Sequence, residues 1–236
     1  MTYRIRLLTW MTGMRRTSSA SHCTDLRPIG LGLILIWGWM TPLSAEDPGD
    51  AQKLLEHRNC RGCDLRRIDL SGANLSGVNL RKADLYDATL IDVDLSEANL
   101  RQAYLFEADL QEADLSQADL RKANLTLANL ESADLSGANL QEANLEVAQL
   151  PFSNLSAANL SKANFSNVIL TDADLSEANL SGTNFREADL RRANLQNANL
   201  SGAYLWRTNL EGANLNGVNL CGATLPDGAI SQQGCN

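Results

Sequence analysis

The stretch RGCDL RRIDL SGANL SGVNL RKADL, at residues 61–85, begins a five-residue repeat that decides the fold. The repeat continues to residue 225 as 33 consecutive blocks, without an insertion or a deletion. Every block ends in Leu except those that end in Phe165 and Phe185, and the residue two places earlier is Ala in 24 of the 33 blocks. One array therefore accounts for most of the 236-residue chain.

A period of five residues fits neither the 3.6-residue turn of an α-helix nor the two-residue alternation of a β-strand. It fits a chain in which each block forms one side of a polygon, with the final Leu and the small residue before it pointing inward. The other three positions then point outward, which explains why they vary from Ser to Arg to Trp.

Two residue patterns indicate that four blocks make one coil. The inward Phe165 and Phe185 are 20 residues apart. Ser follows a block-ending Leu at the same interval, at Ser76, Ser96, Ser116, Ser136, Ser156 and Ser176. The sequence therefore predicts an all-β solenoid at residues 61–225, a four-sided β-helix of about eight coils spaced ~4.8 Å apart.

The residue before the final Leu or Phe is Asp in ten blocks and Asn in seventeen. Free exchange between an acid and an amide argues against catalysis and metal binding, since both need a particular charge. The two side chains share a short reach and an oxygen that accepts hydrogen bonds from nearby backbone in turns. We therefore expect a structural role at the corners of the coil.

Residues 1–45 have the layout of a secretory signal peptide. The first 27 residues are polar and basic, residues 29–40 (IGLGLILIWGWM) are apolar, and TPLSA precedes Glu46. Cleavage is expected after Ala45. The apolar run is shorter than the ~20 residues that span a bilayer, so an uncleaved anchor is the weaker alternative and the mature chain is expected to have no stable membrane span.

Caps are expected at both ends, because an uncapped array would expose its terminal Leu residues. Residues 46–60 are predicted to form a short N-terminal helical cap, with Asp50 as its N-cap residue and Leu54 and Leu55 on the open end of the array. Residues 226–236 are predicted to form a C-terminal capping tail, in which Ile230 fills the last interior slot.

The mature chain keeps four cysteines, and an even number in an exported protein suggests disulfides. Cys60 and Cys63 form a CxxC motif, for which a disulfide is favoured; a redox-active pair, a metal site and free thiols are the alternatives. A lone CxxC lacks the four ligands that zinc prefers. Cys221 and Cys235 are expected to pair across the tail, with a stabilisation of ~3 kcal/mol.

The blocks match the pattern A-(D/N)-L-x-x, and the chain resembles the pentapeptide-repeat family from Cys63 to Leu225. The resemblance implies a right-handed quadrilateral β-helix. Exported members with a CxxC motif and a C-terminal Cys tail look like those abundant in cyanobacteria, which implies the periplasm or the thylakoid lumen as the location.

Sorting the outward residues by the period of 20 separates four unlike faces. One of them carries most of the outward aromatic side chains, and exposed apolar patches tend to mark contacts. The candidate partner-binding residues on this aromatic face are Tyr86, Tyr104, Phe106, Leu127, Val147, Tyr204 and Trp206. The alternative is that stacked aromatic side chains only stabilise adjacent coils.

Two other surface features are weaker candidates. A basic column consists of Arg81, Arg101 and Arg121 with Lys82 and Lys122 beside them, although such stripes are usually solvated or paired with acids. A second apolar group consists of Ile91, Pro151, Phe152 and Ile169. Pro151 also marks the least regular blocks, EVAQL PFSNL, where a kink or bulge is expected.

The sequence favours a non-catalytic exported repeat protein that acts as a protein-binding or structural scaffold. His57 is the only His after the leader and Ser is repetitive, so no catalytic triad is indicated, and no catalytic residue, cofactor or metal is expected. The chain beyond residue 45 holds 15 basic and 27 acidic residues, which disfavours direct nucleic-acid binding. The partner protein is not identified by the sequence.

An acidic nucleic-acid mimic that modulates a DNA topoisomerase is the alternative function. Some family members that protect or inhibit DNA gyrase are acidic and dimeric, and this chain is similar to them in fold and charge, so a homodimer is possible. This alternative requires a cytoplasmic protein, and the leader and the cysteines argue against that location. An ice- or mineral-binding surface is less favoured, because the neighbours of the Ser column are not uniform.

Overall fold

The computed structural model describes residues 48–235, so the predicted signal peptide lies outside the described residues. Helix α1 (Pro48–His57) is followed by coils that continue without interruption to the tail. Parallel bridges join the fourth residue of one block to the fourth residue of the block 20 positions later, from Asn59 with Asn79 to Tyr204 with Thr224. The predicted fold class, a right-handed four-sided β-helix of about eight coils, is confirmed.

The interior is built from the two inward positions of each block, as the sequence predicts. Nearly all of the block-ending Leu residues and the small residues before them are buried. Phe165 and Phe185 lie one above the other, with ring centroids 5.4 Å apart. Buried hydroxyls are satisfied by main-chain oxygens: Thr183 donates to Leu160 at 2.8 Å and Thr208 donates to Phe185 at 2.7 Å.

Each corner of the coil is a type II turn. In the block Arg81–Leu85, the amide of Ala83 donates to the carbonyl of Leu80 at 2.9 Å, and Lys82 has a φ of 61°. A positive φ recurs at the second residue of all 33 blocks, which is Gly in only nine of them. A left-handed residue other than Gly costs ~1–2 kcal/mol, so the inter-coil hydrogen bonds must hold these residues in place.

The main-chain hydrogen bonds of one block show why coils stack. The amides of Lys82 and Leu85 donate to the next coil at 3.0 and 2.7 Å, and the amide of Asp84 donates to the previous coil at 2.9 Å. With the turn bond of Ala83, four of the five amides are satisfied by main-chain carbonyls. The fifth amide, of Arg81, has the side chain of Asn79 as its acceptor at 3.3 Å.

This side-chain acceptor explains the alternation of Asp and Asn along the chain. Oδ1 of the fourth residue caps the first amide of the next block, as in the bonds from Ser116 to Asp114 at 2.9 Å and from Glu131 to Asn129 at 3.2 Å. Asp and Asn offer the same oxygen, so either residue serves. The expected structural role at the corners is borne out.

Six blocks lack Asp or Asn at this place, and two of them are followed by proline: Gln149 precedes Pro151, and Thr224 precedes Pro226. Proline has no amide hydrogen, so these corners need no cap. The expected kink at Pro151 is wrong. The amide of Ser132 donates to the carbonyl of Pro151 at 3.0 Å, and bridges on both sides of Pro151 keep the spacing of 20 residues.

Helix α1 covers the first coil, but with different contacts from those expected. Ala51 and Leu54 are buried against the core, whereas Leu55 is exposed, because it lies on the outer side of the helix. Asp50 is the third residue of α1 and therefore not its N-cap. Its carboxylate instead accepts a hydrogen bond from the amide of Asp64 at 2.9 Å, where no previous coil exists to offer a carbonyl.

The tail folds back along one side of the last coil. Ile230 pairs with Thr224 in an antiparallel bridge, and the amides of Leu220 and Gly222 donate to tail carbonyls at 3.1 and 2.9 Å. Ile230 is 57% exposed, so the expectation that it fills an interior slot is wrong. The antiparallel pairing directs its side chain outward and satisfies the backbone of the last coil instead.

Two other sides of the last coil remain open. Among the described residues, the main-chain amides of Leu210, Gly212, Leu215 and Gly217 have no hydrogen-bond partner, although the equivalent amides of earlier coils all donate to the next coil. Leu215 is correspondingly the one block-ending Leu whose side chain is exposed. The array is therefore closed more completely by α1 than by the tail.

Candidate partner-binding face

Tyr86, Tyr104 and Phe106 form one compact cluster on the aromatic face. Tyr86 and Phe106 occupy the same corner of consecutive coils, with ring centroids 5.9 Å apart. Tyr104 stacks on Phe106 at 6.0 Å with an interplanar angle of 7°. Tyr104 is the most exposed of the three, so it offers the cluster's apolar surface to solvent.

A polar contact borders this cluster. The hydroxyl of Tyr86 donates to the carboxylate of Glu107 at 3.2 Å. The negative charge of Glu107 raises the pKa of Tyr86, and the hydrogen bond acts in the same direction. A phenol is neutral at physiological pH even without this effect, so the contact is a hydrogen bond from a neutral donor to a carboxylate.

Trp206 lies in a second group, five coils farther along. The guanidinium of Arg207 is 4.1 Å from the ring centroid and that of Arg186 is 5.2 Å from it. Glu187 pairs with both cations, at 3.2 Å to Arg186 and 3.7 Å to Arg207. Trp206 is therefore held by cation–π contacts, and the adjacent Tyr204 is the exposed member of this group.

Leu127 and Val147 form an apolar pair between the two aromatic groups. They occupy the second position of consecutive coils and are 41% and 43% exposed. Both have a left-handed backbone, with φ of 62° and 61°. A β-branched residue is rare in that region, so Val147 is strained without a compensating burial.

The two aromatic groups share a local sequence that the period of five conceals. Tyr104-Leu105-Phe106 and Tyr204-Leu205-Trp206 are 100 residues, or five coils, apart in the same column, a distance of about 24 Å. In both, Tyr replaces the capping Asp or Asn. The amide two residues later, of Phe106 or Trp206, therefore has no side-chain cap. The sequence signal for these positions is the departure from Asp or Asn where no proline follows.

Three of the five cations in the basic column are paired with acidic side chains. The guanidinium of Arg121 lies 2.6 Å from the carboxylate of Asp119, which Arg101 also approaches at 3.9 Å. Lys122 pairs with Glu142 at 3.2 Å. Since exposed pairs of this kind contribute little energy, the column adds more to surface charge balance than to stability.

The first coil brings a carboxylate close to two sulfurs. Ligand atoms of Asp50, Cys60 and Cys63 all lie within 4.8 Å of one another. The sulfurs of Cys60 and Cys63 are bonded to each other, so neither is available as the thiolate that metals bind. Both cysteines are buried. A second disulfide joins Cys221 to Cys235.

The family model Pentapeptide repeats, with eight copies, matches the chain. The matched ranges are residues 55–87, 83–121, 108–146, 148–187 and 188–225. A comparison with curated protein sequences found no match. Among solved structures, HetL of the cyanobacterium Nostoc sp. strain PCC 7120, a pentapeptide repeat protein involved in heterocyst differentiation regulation, has 34% sequence identity. That match covers 77% of this chain and 97% of HetL, with a TM-score of 0.46.

Two further solved structures are similar. A pentapeptide repeat protein from the Arabidopsis thaliana thylakoid lumen has 30% identity, with 43% of this chain and 70% of that protein covered and a TM-score of 0.42. The plasmid-mediated fluoroquinolone resistance protein QnrB1, in a trypsin-treated form, has 25% identity, with 65% and 77% covered and a TM-score of 0.43.

Proposed function

The chain belongs to the pentapeptide repeat family, and from this premise we propose that it is a non-catalytic, exported scaffold that binds a protein partner through the aromatic face. The repeat supplies a regular rod whose two inward positions specify only the fold. Binding specificity then resides in the outward positions, which differ from coil to coil. This assignment gives the protein no chemistry of its own and makes recognition its activity.

The observation that carries the proposal is the repeated aromatic tripeptide. At Tyr104 and again at Tyr204, a capping residue is replaced by a tyrosine that is 40% or 41% exposed. Each replacement leaves one main-chain amide, of Phe106 or Trp206, without its usual acceptor. The loss of this hydrogen bond does not stabilise the fold. Tyrosine and tryptophan are enriched in binding hot spots, and two such sites about 24 Å apart suit one extended partner.

Export is supported by the chemistry of the cysteines. All four cysteines after the leader lie in pairs close enough to bond, one pair in the first coil and one across the tail. Disulfides persist in oxidising compartments, and residues 1–45 have the pattern of a signal peptide. We therefore propose the periplasm or the thylakoid lumen as its location.

The test uses a substitution that separates binding from folding. Changing Tyr104→Asn and Tyr204→Asn restores the capping oxygen at both corners while it removes both exposed rings. The variant is expected to be more stable than the parent by about 1 kcal/mol per site, and to lose its partner. Thermal unfolding measures the first effect, and affinity capture from the native periplasm or lumen measures the second.

Phe152→Asn provides the matched control, because Phe152 is 61% exposed on a different face. The control is expected to retain every partner. Retention of all partners by the double Tyr variant would overturn the proposed binding face, and a loss of its stability would show that the tyrosines serve the fold.

A topoisomerase modulator remains the second candidate, favoured by one feature of the surface. Asp94, Asp114 and Asp134 occupy one column in successive coils, a row of carboxylates about 4.8 Å apart. Such a row resembles the charge of a nucleic-acid backbone. Fractionation decides between the candidates first, and an effect of the purified protein on DNA supercoiling by a cytoplasmic topoisomerase would favour the second.

A further inference from the structure

Asn216 precedes Gly217 at a corner of the last coil, and this is the only Asn-Gly pair in the sequence. Both residues are exposed. Gly offers no side chain to hinder its own nitrogen, so an Asn-Gly pair is the sequence in which that nitrogen most easily approaches the Asn side chain. Whether the approach occurs in a folded protein depends on what holds the Gly amide.

The amide of Gly217 is free in a way that its counterparts in earlier coils are not. The second residue of earlier blocks donates its amide to the next coil, as Gly137 does to the carbonyl of Ser156 at 2.9 Å and Gly77 does to that of Ser96 at 2.7 Å. No coil follows Gly217, and the tail covers a different side. Among the described residues, its nitrogen has no hydrogen-bond partner.

We propose that Asn216 is a site of spontaneous covalent modification, by which it becomes aspartate or isoaspartate. The Gly217 amide loses its proton to hydroxide, and its nitrogen bonds to Cγ of Asn216. The side-chain nitrogen takes up one proton and leaves as ammonia, and a five-membered succinimide remains. Water then opens the ring at one carbonyl to give aspartate or at the other to give isoaspartate, with no change of oxidation state.

Other asparagines followed by small or branched residues lack this freedom. Asn197 and Asn167 occupy second positions, so the amides that follow them belong to Ala198 and Val168. Those amides close turns, with bonds of 3.0 Å to Leu195 and 3.4 Å to Phe165. Nearly all remaining asparagines precede a buried Leu or Phe. Asn209 and Asn214 also precede amides that have no partner in the described part of the chain, those of Leu210 and Leu215. The side chain of Leu hinders the approach that Gly217 allows, so Asn216 is expected to react fastest.

The modified corner adjoins the docking site of the tail. The side-chain amide of Gln233 donates to the carbonyl of Val218 at 3.4 Å, and the carbonyl of Gln233 accepts the amide of Leu220 at 3.1 Å. Isoaspartate lengthens the main chain of the turn that ends at Val218. Conversion therefore adds a negative charge and loosens the contact between the tail and the last coil.

The experiment compares this corner with an equivalent corner inside the array. Ser136→Asn creates a second Asn-Gly pair in the same column, four coils earlier, where the Gly137 amide is bonded. Oxidised protein is incubated at mildly alkaline pH, and both sites are followed by peptide mass spectrometry with chromatographic separation of isoaspartate. Asn216 is expected to convert roughly ten-fold or more faster, because the internal site reacts only after local opening.

A denatured, reduced sample of the same variant supplies the reference, since both sites should convert at the same rate there. Equal rates in the folded protein would overturn the proposal, as would an intact Asn216 after the denatured reference has converted. Hydrogen exchange at Leu220 before and after conversion measures the loosened tail, which is expected to exchange faster in the modified protein.

Discussion

At the scale of a single side chain, the fourth residue of a block can form two kinds of hydrogen bond. Its Oδ1 caps the next corner, and in ten of the seventeen Asn residues Nδ2 also donates to the same position of an adjacent coil. Asn179 donates to Asn159 at 3.2 Å and Asn199 donates to Asn179 at 3.3 Å. Asp provides only the first of these bonds and places like charges in register.

Removal of a capping side chain should lower the free energy of unfolding only where a main-chain amide needs that side chain as its acceptor. Asn129→Ala leaves the amide of Glu131 without its acceptor and is expected to lower the free energy of unfolding by about 1 kcal/mol. Gln149→Ala, in the same column one coil later, precedes Pro151 and is expected to change it little. Urea denaturation of both variants checks this, and equal losses would contradict the capping role.

In the row of carboxylates formed by Asp94, Asp114 and Asp134, we expect a substitution to have the opposite effect and to increase stability. Asp114→Asn keeps the cap on Ser116, removes a charge between Asp94 and Asp134, and adds a donor such as the one with which Asn154 bonds Asp134 at 3.1 Å. The variant is expected to gain about 0.5 kcal/mol, with a larger gain at low salt. Thermal denaturation at two ionic strengths measures it.

Asp174→Asn is the control for this gain, because Asp174 lies between Asn154 and Asn194 and already accepts a bond from Asn194 at 2.9 Å. No repulsion is relieved there, so little change is expected. A gain as large as that of Asp114→Asn would show that repulsion is not the cause.

The residue pattern predicts the core and the corners, and it fails where the pattern stops. The inward Leu and Ala, the period of 20 and the capping role of Asp and Asn all follow from spacing. The pattern predicts a kink or bulge at Pro151, because spacing alone does not show that the missing amide hydrogen is the one that a side chain caps elsewhere. The aromatic face is read from spacing, but the stacking of Tyr104 on Phe106 requires coordinates.

At the scale of an element, both caps replace hydrogen bonds that a further coil would have made. α1 uses the carboxylate of Asp50 and the tail uses its own carbonyls. The repeat predicts a cap at each end of the array, but the predicted burial of Leu55 and Ile230 is wrong. Hydrophobicity indicates which residues could cover an end, whereas the choice among neighbours depends on how the helix or strand is rotated against it.

The tail should detach when its covalent link is removed. Cys235→Ser is expected to lower the stability of the last coil by as much as ~3 kcal/mol, because the link closes 14 residues. Hydrogen exchange at Leu220 and Gly222 should accelerate, whereas exchange in coils near the middle stays unchanged. Acceleration throughout the array would contradict a local role for the tail.

At the scale of the whole molecule, exposed acid–base pairs give stability a definite dependence on pH. Arg66 lowers the pKa of Asp64, and Arg191 and Arg192 lower the pKa of Asp189 and Asp172 through hydrogen bonds. Burial acts to raise the pKa of Asp119, but the hydrogen bonds from Arg121 outweigh it, so this pKa is also lowered.

Carboxyls with lowered pKa values stabilise the folded state above their unfolded pKa, and this contribution is lost as the pH falls. We expect the free energy of unfolding to be nearly constant above about pH 5 and to decline below about pH 4. Arg191→Gln should make the acid decline shallower. Urea titrations at a series of pH values measure the slopes, and an unchanged slope would contradict the assignment.

Because each coil contacts only its neighbours, a complete coil should be removable. Deletion of residues 121–140 joins Leu120 to Gln141 and keeps every column in register. The shortened protein is expected to fold, with the denaturant dependence of unfolding reduced by roughly one eighth. Far-UV circular dichroism and urea denaturation check this, and an unfolded product would contradict the independence of the coils.

The direction of the inter-coil hydrogen bonds has a mechanical consequence. These bonds run along the axis of the coils. Tension between the two ends of the array therefore breaks the hydrogen bonds of one coil boundary at a time. Each coil that peels away releases roughly 70 Å of extended chain. A force across the rod must break the bonds of several coils together. The same molecule is therefore compliant along its length and stiff across it.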